Sequence, residues 1–406
     1  MRSASLIRVS QVLWKTVPFA LSLSFVCASA FVCTQAFAAH TAHATQESEP
    51  TPSPQADSQA PTAEETPERR RSLALLELAT LLQLGLSNQV VEYGAPLVQE
   101  GALLASDGRA VAWVARALFD IGRESEAEKL LTTAHVDAAT GGAIELEWAR
   151  MDLARDQIDR ALARLVDERG RPRLVNDPSA WMLTGRALAR RGQLGPALPY
   201  LRRFVELAPF DLETVGAFHL MHLEAAERGE RDQAAQLLAE SQRRRRVFEV
   251  IRARSLQVRA APGDPTPLYG LGLAFLELGD CQLANAVLTR LLTEHPEFHK
   301  AYFQLGEARR LCGDTTGALA AFDEGVARDA NDHRCRLNRA LLRIATSEVA
   351  SARRDFDELR KSPVANDPLY CAIYLGLARL YLLDGDEKSS GEAYAKYREL
   401  GGTENL

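Results

Sequence analysis

The chain of 406 residues is poor in aromatics, at 7% of its length, and holds only four methionines and four tryptophans. Strand signals are almost missing, which argues against an architecture built on sheets. No Gly-rich phosphate loop ending in Gly-Lys-Ser/Thr, no Gly-x-Ser-x-Gly turn and no dinucleotide fingerprint occurs, so the common frames of nucleotide and acyl chemistry are not encoded. His219 with His222, and His295 with His299, could each share a helix face. Neither pair has a nearby cysteine or a His-Glu-x-x-His arrangement to supply a third ligand, and Pro296 interrupts the second pair. No metal, no cofactor and no catalytic residue is therefore assigned, and a non-enzyme is expected. An excess of positive charge is missing too: the net charge is −6, which argues against a general nucleic-acid binder.

At the N-terminus, Arg2, Arg8 and Lys15 precede an uncharged, apolar or small run from Val17 to Phe37, closed by Ala36-Phe37-Ala38. These are the three parts of a secretory signal peptide over residues 1–38, with cleavage expected after Ala38. The run is near the length of a membrane span, so an uncleaved anchor is the alternative. Val26 and Val32, ahead of Cys27 and Cys33, disfavour a lipid anchor. Residues 39–70 are rich in Thr, Ser, Pro, Ala, Gln and Glu with almost no large apolar side chain, the composition of a disordered linker.

The stretch from Pro265 to Asp332 contains one 34-residue pattern twice. Leu268, Leu271, Gly272, Phe275, Gly279, Ala284, Leu288, Leu291 and Pro296 stand where Tyr302, Leu305, Gly306, Arg309, Gly313, Ala318, Phe322, Gly325 and Ala330 recur. Leu268, Leu271 and Phe275 form one apolar stripe on a first helix; Gly279 and Asp280 break it; Ala284, Leu288 and Leu291 form the facing stripe of a second. Such a hairpin cannot bury both its faces alone, so it must stack on copies of itself.

These offsets resemble the tetratricopeptide repeat, with its aromatic or Leu, then Leu-Gly, an aromatic, Ala, Phe and Pro. The resemblance implies an all-α helical-hairpin solenoid, a right-handed superhelix of about nine hairpins. Residues 71–211 read as an N-terminal array. Within it the unit from Pro178 to Asp211 is strong (Trp181, Gly185, Leu188, Gly192, Ala197, Leu201, Phe204, Pro209), and in the unit from Gly142 to Val175 Asp156 replaces the turn glycine. Residues 212–264 form a divergent unit whose second helix has no closing proline, so an elongated or an extra helix is expected there. Residues 265–406 form a C-terminal array ending in a capping helix, and its unit from His333 to about Val364 lacks the turn glycine.

The resemblance also implies a site. First helices line the concave face of such a stack, and their groove positions fall on Arg186, Arg190, Tyr269, Leu273, Lys300, Phe303, Gln304, Glu307, Arg310, Arg334 and Asn338. Cations beside Tyr and Phe suit a carboxylate or an acidic peptide with an apolar anchor. The family's carboxylate clamp needs Lys and Asn at two groove positions where this chain has Tyr269 and Leu273, or Phe303 and Glu307, so binding of chaperone C-termini is not expected. Arg243, Arg244, Arg245 and Arg246 are either a basic surface for an acidic partner or lipid headgroups, or a solvated face neutralised by acids of the next unit. Four cysteines follow the export segment. Cys281 with Cys312, and Cys335 with Cys371, are pairings that neighbouring units would allow in an oxidising compartment, and four buried thiols are the alternative.

The expectation is an exported scaffold in a bacterial periplasm or cell envelope that binds a protein partner of unknown identity, with no nucleic acid. Membrane contact would come only through an uncleaved N-terminus or the Arg-rich helix. The rival expectation is an assembly or stability factor of an envelope secretion, motility or outer-membrane complex.

Overall fold

The structure, a computed structural model, describes residues 66–367 and 370–406. The expected export segment over residues 1–38 and most of the expected linker lie outside the described residues. The first helix opens at Pro67, a little before the boundary at residue 70 that composition suggested. Proline suits a first helical turn, where its missing N–H would have had no partner, and the Thr66 hydroxyl accepts a hydrogen bond from the Arg69 N–H at 3.3 Å.

Among the described residues there are eighteen α-helices, which pair into nine consecutive hairpins. In chain order they are α1 (Pro67–Gln83) with α2 (Ser87–Gly94), α3 (Gly108–Asp120) with α4 (Glu124–Thr133), α5 (Gly142–Ala154) with α6 (Ile158–Leu165), and α7 (Pro178–Arg190) with α8 (Leu194–Leu207). The middle hairpin joins α9 (Thr214–Glu227) to α10 (Arg231–Ala260). The last four are α11 (Pro265–Leu278) with α12 (Cys281–Glu294), α13 (Lys300–Leu311) with α14 (Thr315–Arg328), α15 (His333–Ala345) with α16 (Val349–Lys361), and α17 (Ala372–Leu383) with α18 (Glu387–Glu399).

Local chemistry starts and stops these helices. Carboxylates of Asp107, Asp177, Asp264, Asp280, Asp314, Asp332 and Asp386 each accept a backbone N–H of the following first turn. The turn after each first helix needs a left-handed residue: Gly279 takes φ 92°, and where glycine is missing Asp156 and Ser347 adopt φ 60° and 66°. In three hairpins the two helices close on a glycine of the first helix, Gly185, Gly272 or Gly306. A Cβ on Gly272 would lie 2.6 Å from Leu288, and one on Gly306 would lie 2.3 Å from Phe322. Leu288 and Phe322 are completely buried.

First helices of neighbouring hairpins touch one another along most of the stack, from α1 to α3 through α7 to α9, and again from α11 through α17. Second helices make no comparable contact among the described residues, so the stack curves with the first helices inside. Between α9 and α11 that inner contact lapses, and α10 stands between them. With no proline or glycine between Arg231 and Ala261, α10 runs for 30 residues before Pro262 and Gly263 stop it.

Two expectations need correction. Cys281 and Cys312 form a disulfide with Cα atoms 5.5 Å apart, but Cys335 and Cys371 are both free thiols. Cys335 is completely buried, its Sγ filling the space over Gly325, where a Cβ would come within 2.5 Å of it. Cys371 sits at the N-cap of α17. The Arg243–Arg246 run is not one basic surface either: Arg244 is buried (8% exposed), while Arg245 and Arg246 are exposed.

Candidate functional site

Arg244 belongs to the internal structure of the α9–α10 hairpin. Its guanidinium donates to Glu240 at 2.6 Å, to the Pro209 carbonyl and to the Thr214 hydroxyl at 3.2 Å, and lies 4.9 Å from the centre of the Phe218 ring. Arg243 is held by Glu240 at 2.7 Å and by the Glu277 carbonyl of α11 at 2.7 Å. Two arginines of this run, Arg243 and Arg244, are thus paired on their own helix with one carboxylate, Glu240.

The inner face of the first array carries a different set of cations. Arg116, Arg150 and Arg186 occupy the same place on α3, α5 and α7, nine residues into units that start at Gly108, Gly142 and Pro178, so stacking puts them in a ladder. Glu213, at the N-cap of α9, reaches all three. Its Oε1 accepts from Arg150 Nη1 at 2.9 Å and lies 4.0 Å from Arg116 Nη2, and its Oε2 lies 3.6 Å from Arg186 Nη2. Glu147 stands 3.5 Å from Arg150 Nε. Among the described residues, neither Arg150 Nε nor Glu213 Oε2 has a partner within hydrogen-bond geometry.

Electrostatics separates the groups. Burial alone would raise the Glu213 carboxyl, but Arg150, Arg186 and Arg116 outweigh it and hold Glu213 below the ordinary range. Glu147 goes the other way: burial raises it, and Arg150 and Arg116 offset this only in part. Arg186 is lowered by burial despite Glu213, with Arg150, Arg190 and Arg116 pushing in the same direction. Burial and the neighbouring arginines thus outweigh Glu213 at the Arg186 end of the ladder.

That end forms one wall of an open cleft of about 460 Å³ between α7 and α9. Arg186, Arg190, His219 and Glu227 stand around it, and Met182, Leu220 and Leu223 give it an apolar lining. Gly216 keeps the α9 side low, since a Cβ there would stand 3.4 Å from Met182 Cε. Leu223 is 38% exposed on the α9 side of the cleft.

Of the groove residues expected from sequence, Arg186 and Arg190 are thus brought together. A second group meets in the C-terminal array, where Arg334 lies 5.9 Å from the centre of the Phe303 ring and Asn338 donates to the Arg334 carbonyl at 3.0 Å. Glu307 and Arg310 pair with each other at 2.9 Å. Tyr269 is drawn into packing against Phe298, ring centres 5.2 Å apart, and Leu273 is half-buried beside it on α11. Lys300 is exposed at the start of α13 and Gln304 is half-buried one turn on. Sequence reading missed Arg116, Arg150 and Glu213, although the shared ninth position of the three arginines was visible in the repeat register.

His222 Nδ1 is hydrogen-bonded to the Ala234 carbonyl at 2.9 Å, and the His219 and His222 rings are 5.9 Å apart. Among the described residues no group of three or more His, Cys, Asp or Glu stands where it could hold a metal ion, and no helix is long and apolar enough to cross a membrane.

Comparison with known proteins agrees with the repeat geometry. Residues 146–211 and 269–333 match the tetratricopeptide repeat family. A TPR repeat-containing protein of Pseudomonas aeruginosa is 36% identical over 59 residues, which is 14% of this chain, so the chain spans only about half (56%) of that relative's length. Among solved structures, MamA of Desulfovibrio magneticus is 19% identical with a TM-score of 0.32, covering 55% of this chain and 94% of MamA. The pilF protein of Pseudomonas aeruginosa is 16% identical with a TM-score of 0.31, covering 55% of this chain and 91% of pilF. The nine stacked hairpins form a helical solenoid of the tetratricopeptide-repeat type, and two separate regions of it match that family.

Proposed function

We propose that the protein is an exported, non-catalytic scaffold that holds a segment of a protein partner on the inner face of its helical stack, in a bacterial periplasm or cell envelope. The observation that carries this reading is the open cleft between α7 and α9. It sits on the inner layer of first helices, is lined by apolar side chains and rimmed by cations, and no element among the described residues fills it. A groove of that make-up recognises an extended segment by side-chain anchors and leaves every bond intact. The Cys281–Cys312 disulfide supports export, because such bonds persist in oxidising compartments. The N-terminal run over residues 1–38 supports it independently.

The test is an affinity pull-down from envelope extract with three forms of the chain: the parent, a Phe303→Ala/Arg310→Ala/Arg334→Ala/Asn338→Ala variant, and an Arg186→Ala/Arg190→Ala variant. A partner recovered by the parent and lost by one folded variant supports groove binding and says which array is used. Equal recovery by all three forms would place binding off the inner face and overturn the reading.

A further inference from the structure

The cation ladder is already occupied by a carboxylate, and that carboxylate is badly seated. Glu213 makes one good hydrogen bond, to Arg150, while its second oxygen stays 3.6 Å from Arg186 and bonds to nothing among the described residues. A carboxylate with two guanidiniums in reach normally satisfies both oxygens, often bidentately. Meanwhile Arg186 and Arg190 line the apolar cleft, and Arg190 also donates to the Leu153 carbonyl of α5, outside it. The cleft end of the ladder thus combines Arg186 and Arg190, against Glu227 alone on the rim, with apolar surface. Its complement is an acidic side chain next to a large apolar one.

We propose that Glu213 is a built-in competitor: it occupies the arginine ladder in the free protein and is displaced when an acidic side chain of a partner's extended segment binds Arg186 and Arg190, with that segment's adjacent apolar residue in the α7–α9 cleft. This rests on the groove-binding reading above and names the chemistry of the segment. Displacement needs little movement, since Glu213 lies at a helix N-cap, before the regular part of α9. The competitor lowers affinity for any single carboxylate by the fraction of time it holds the ladder. It thereby favours segments that also supply the apolar anchor.

The experiment uses fluorescence anisotropy with the full chain and two labelled 12-residue peptides. One carries alternating Glu and Leu in a Gly/Ser frame, and the other has Gln for every Glu. The acidic peptide is expected to bind at least about tenfold more tightly than its Gln counterpart. Glu213→Gln should tighten acidic-peptide binding by about fivefold or more, and Arg186→Ala/Arg190→Ala should abolish it, with circular dichroism checking the fold of each. Equal binding of the two peptides, no binding of either, or weaker binding by a folded Glu213→Gln variant would overturn the proposal. The pull-down separates this failure from failure of the broader reading. A partner that is lost only with the Phe303/Arg310/Arg334/Asn338 variant leaves groove binding intact and sinks the competitor role.

Discussion

Arg259 Nη2, in the last turn of the long helix α10, lies 2.9 Å from Glu77 Oε1 in the first helix α1, across 182 residues of sequence. On the same helix Arg252 approaches the turn after α1, its guanidinium carbon 3.7 Å from where a Cβ on Gly85 would stand. The surplus turns of α10 therefore form a strut from the fifth hairpin back to the first. A solenoid otherwise couples only neighbours, so this contact links the fifth hairpin directly to the first.

Reversing one charge of that strut should loosen it without unfolding the chain. A partly exposed ion pair contributes at most about 1 kcal/mol, so Glu77→Arg is expected to leave the global melting curve nearly unchanged. Amide exchange in α1 and α2 should nevertheless rise severalfold, and the double variant Glu77→Arg/Arg259→Glu should restore protection. Unchanged exchange in the single variant would show that the pair does not hold the first hairpin.

Glu240 gives a prediction for pH. Hydrogen bonds from Arg243 and then Arg244, with their charges, outweigh burial and hold its carboxyl at about 2 instead of 4.5. A carboxyl lowered on folding contributes its full stability above the unfolded pKa and loses it as pH falls through the folded one. Glu240→Gln should therefore cost about 1–3 kcal/mol at neutral pH, because Arg244 stays buried without its anion. The gap from the parent should close between roughly pH 4.5 and roughly pH 2. Urea titrations across that range check it, and a gap independent of pH would mean that the ion pair contributes nothing.

The close approach of α13 and α14 can be tested by size. A methyl on Gly306 would meet the Phe322 ring at 2.3 Å, and that ring is fully buried, so Gly306→Ala is expected to destabilise by about 1–3 kcal/mol. Adding Phe322→Leu to Gly306→Ala should recover part of that loss, since the smaller side chain makes room. Two losses that simply add in denaturant melts would mean that the glycine and the ring are not coupled.

These residues also show what the sequence could reveal. Gly272 with Leu288 and Gly306 with Phe322 sit at fixed offsets because the same crossing recurs every 34 residues, so periodicity alone locates them. Asp156 and Ser347 show that the turn survives loss of its glycine, which is why the weaker repeats could be counted. The Arg259–Glu77 contact had no such local signal, because it depends on small rotations accumulated over five hairpins. Glu213 was hidden for a related reason: its partners lie on three other hairpins, in a unit that departs from the pattern. Arg244 misled because a run of four arginines looks solvated, and only the packing of α10 on α9 shows that one of them points inward.

The cysteines divide into a bonded pair and two thiols in different surroundings, which chemistry can read directly. The Cys281–Cys312 bond joins the start of α12 to the end of α13, closing a loop with a sequence separation of 31, and such a cross-link typically contributes about 2–4 kcal/mol. Reductant should lower the parent's melting temperature but leave that of Cys281→Ser/Cys312→Ser unchanged. Cys335 is buried beneath the Gly325 backbone, and burial with the nearby Asp332 pushes its thiol far above the ordinary value, so the reactive thiolate scarcely forms. Under native, non-reducing conditions iodoacetamide should therefore label Cys371 readily and Cys335 only after denaturant is added. Peptide mass mapping of the described region distinguishes the outcomes. Native labelling at Cys281 or Cys312 would show the bond absent, and native labelling at Cys335 would show the α14–α15 packing to be open.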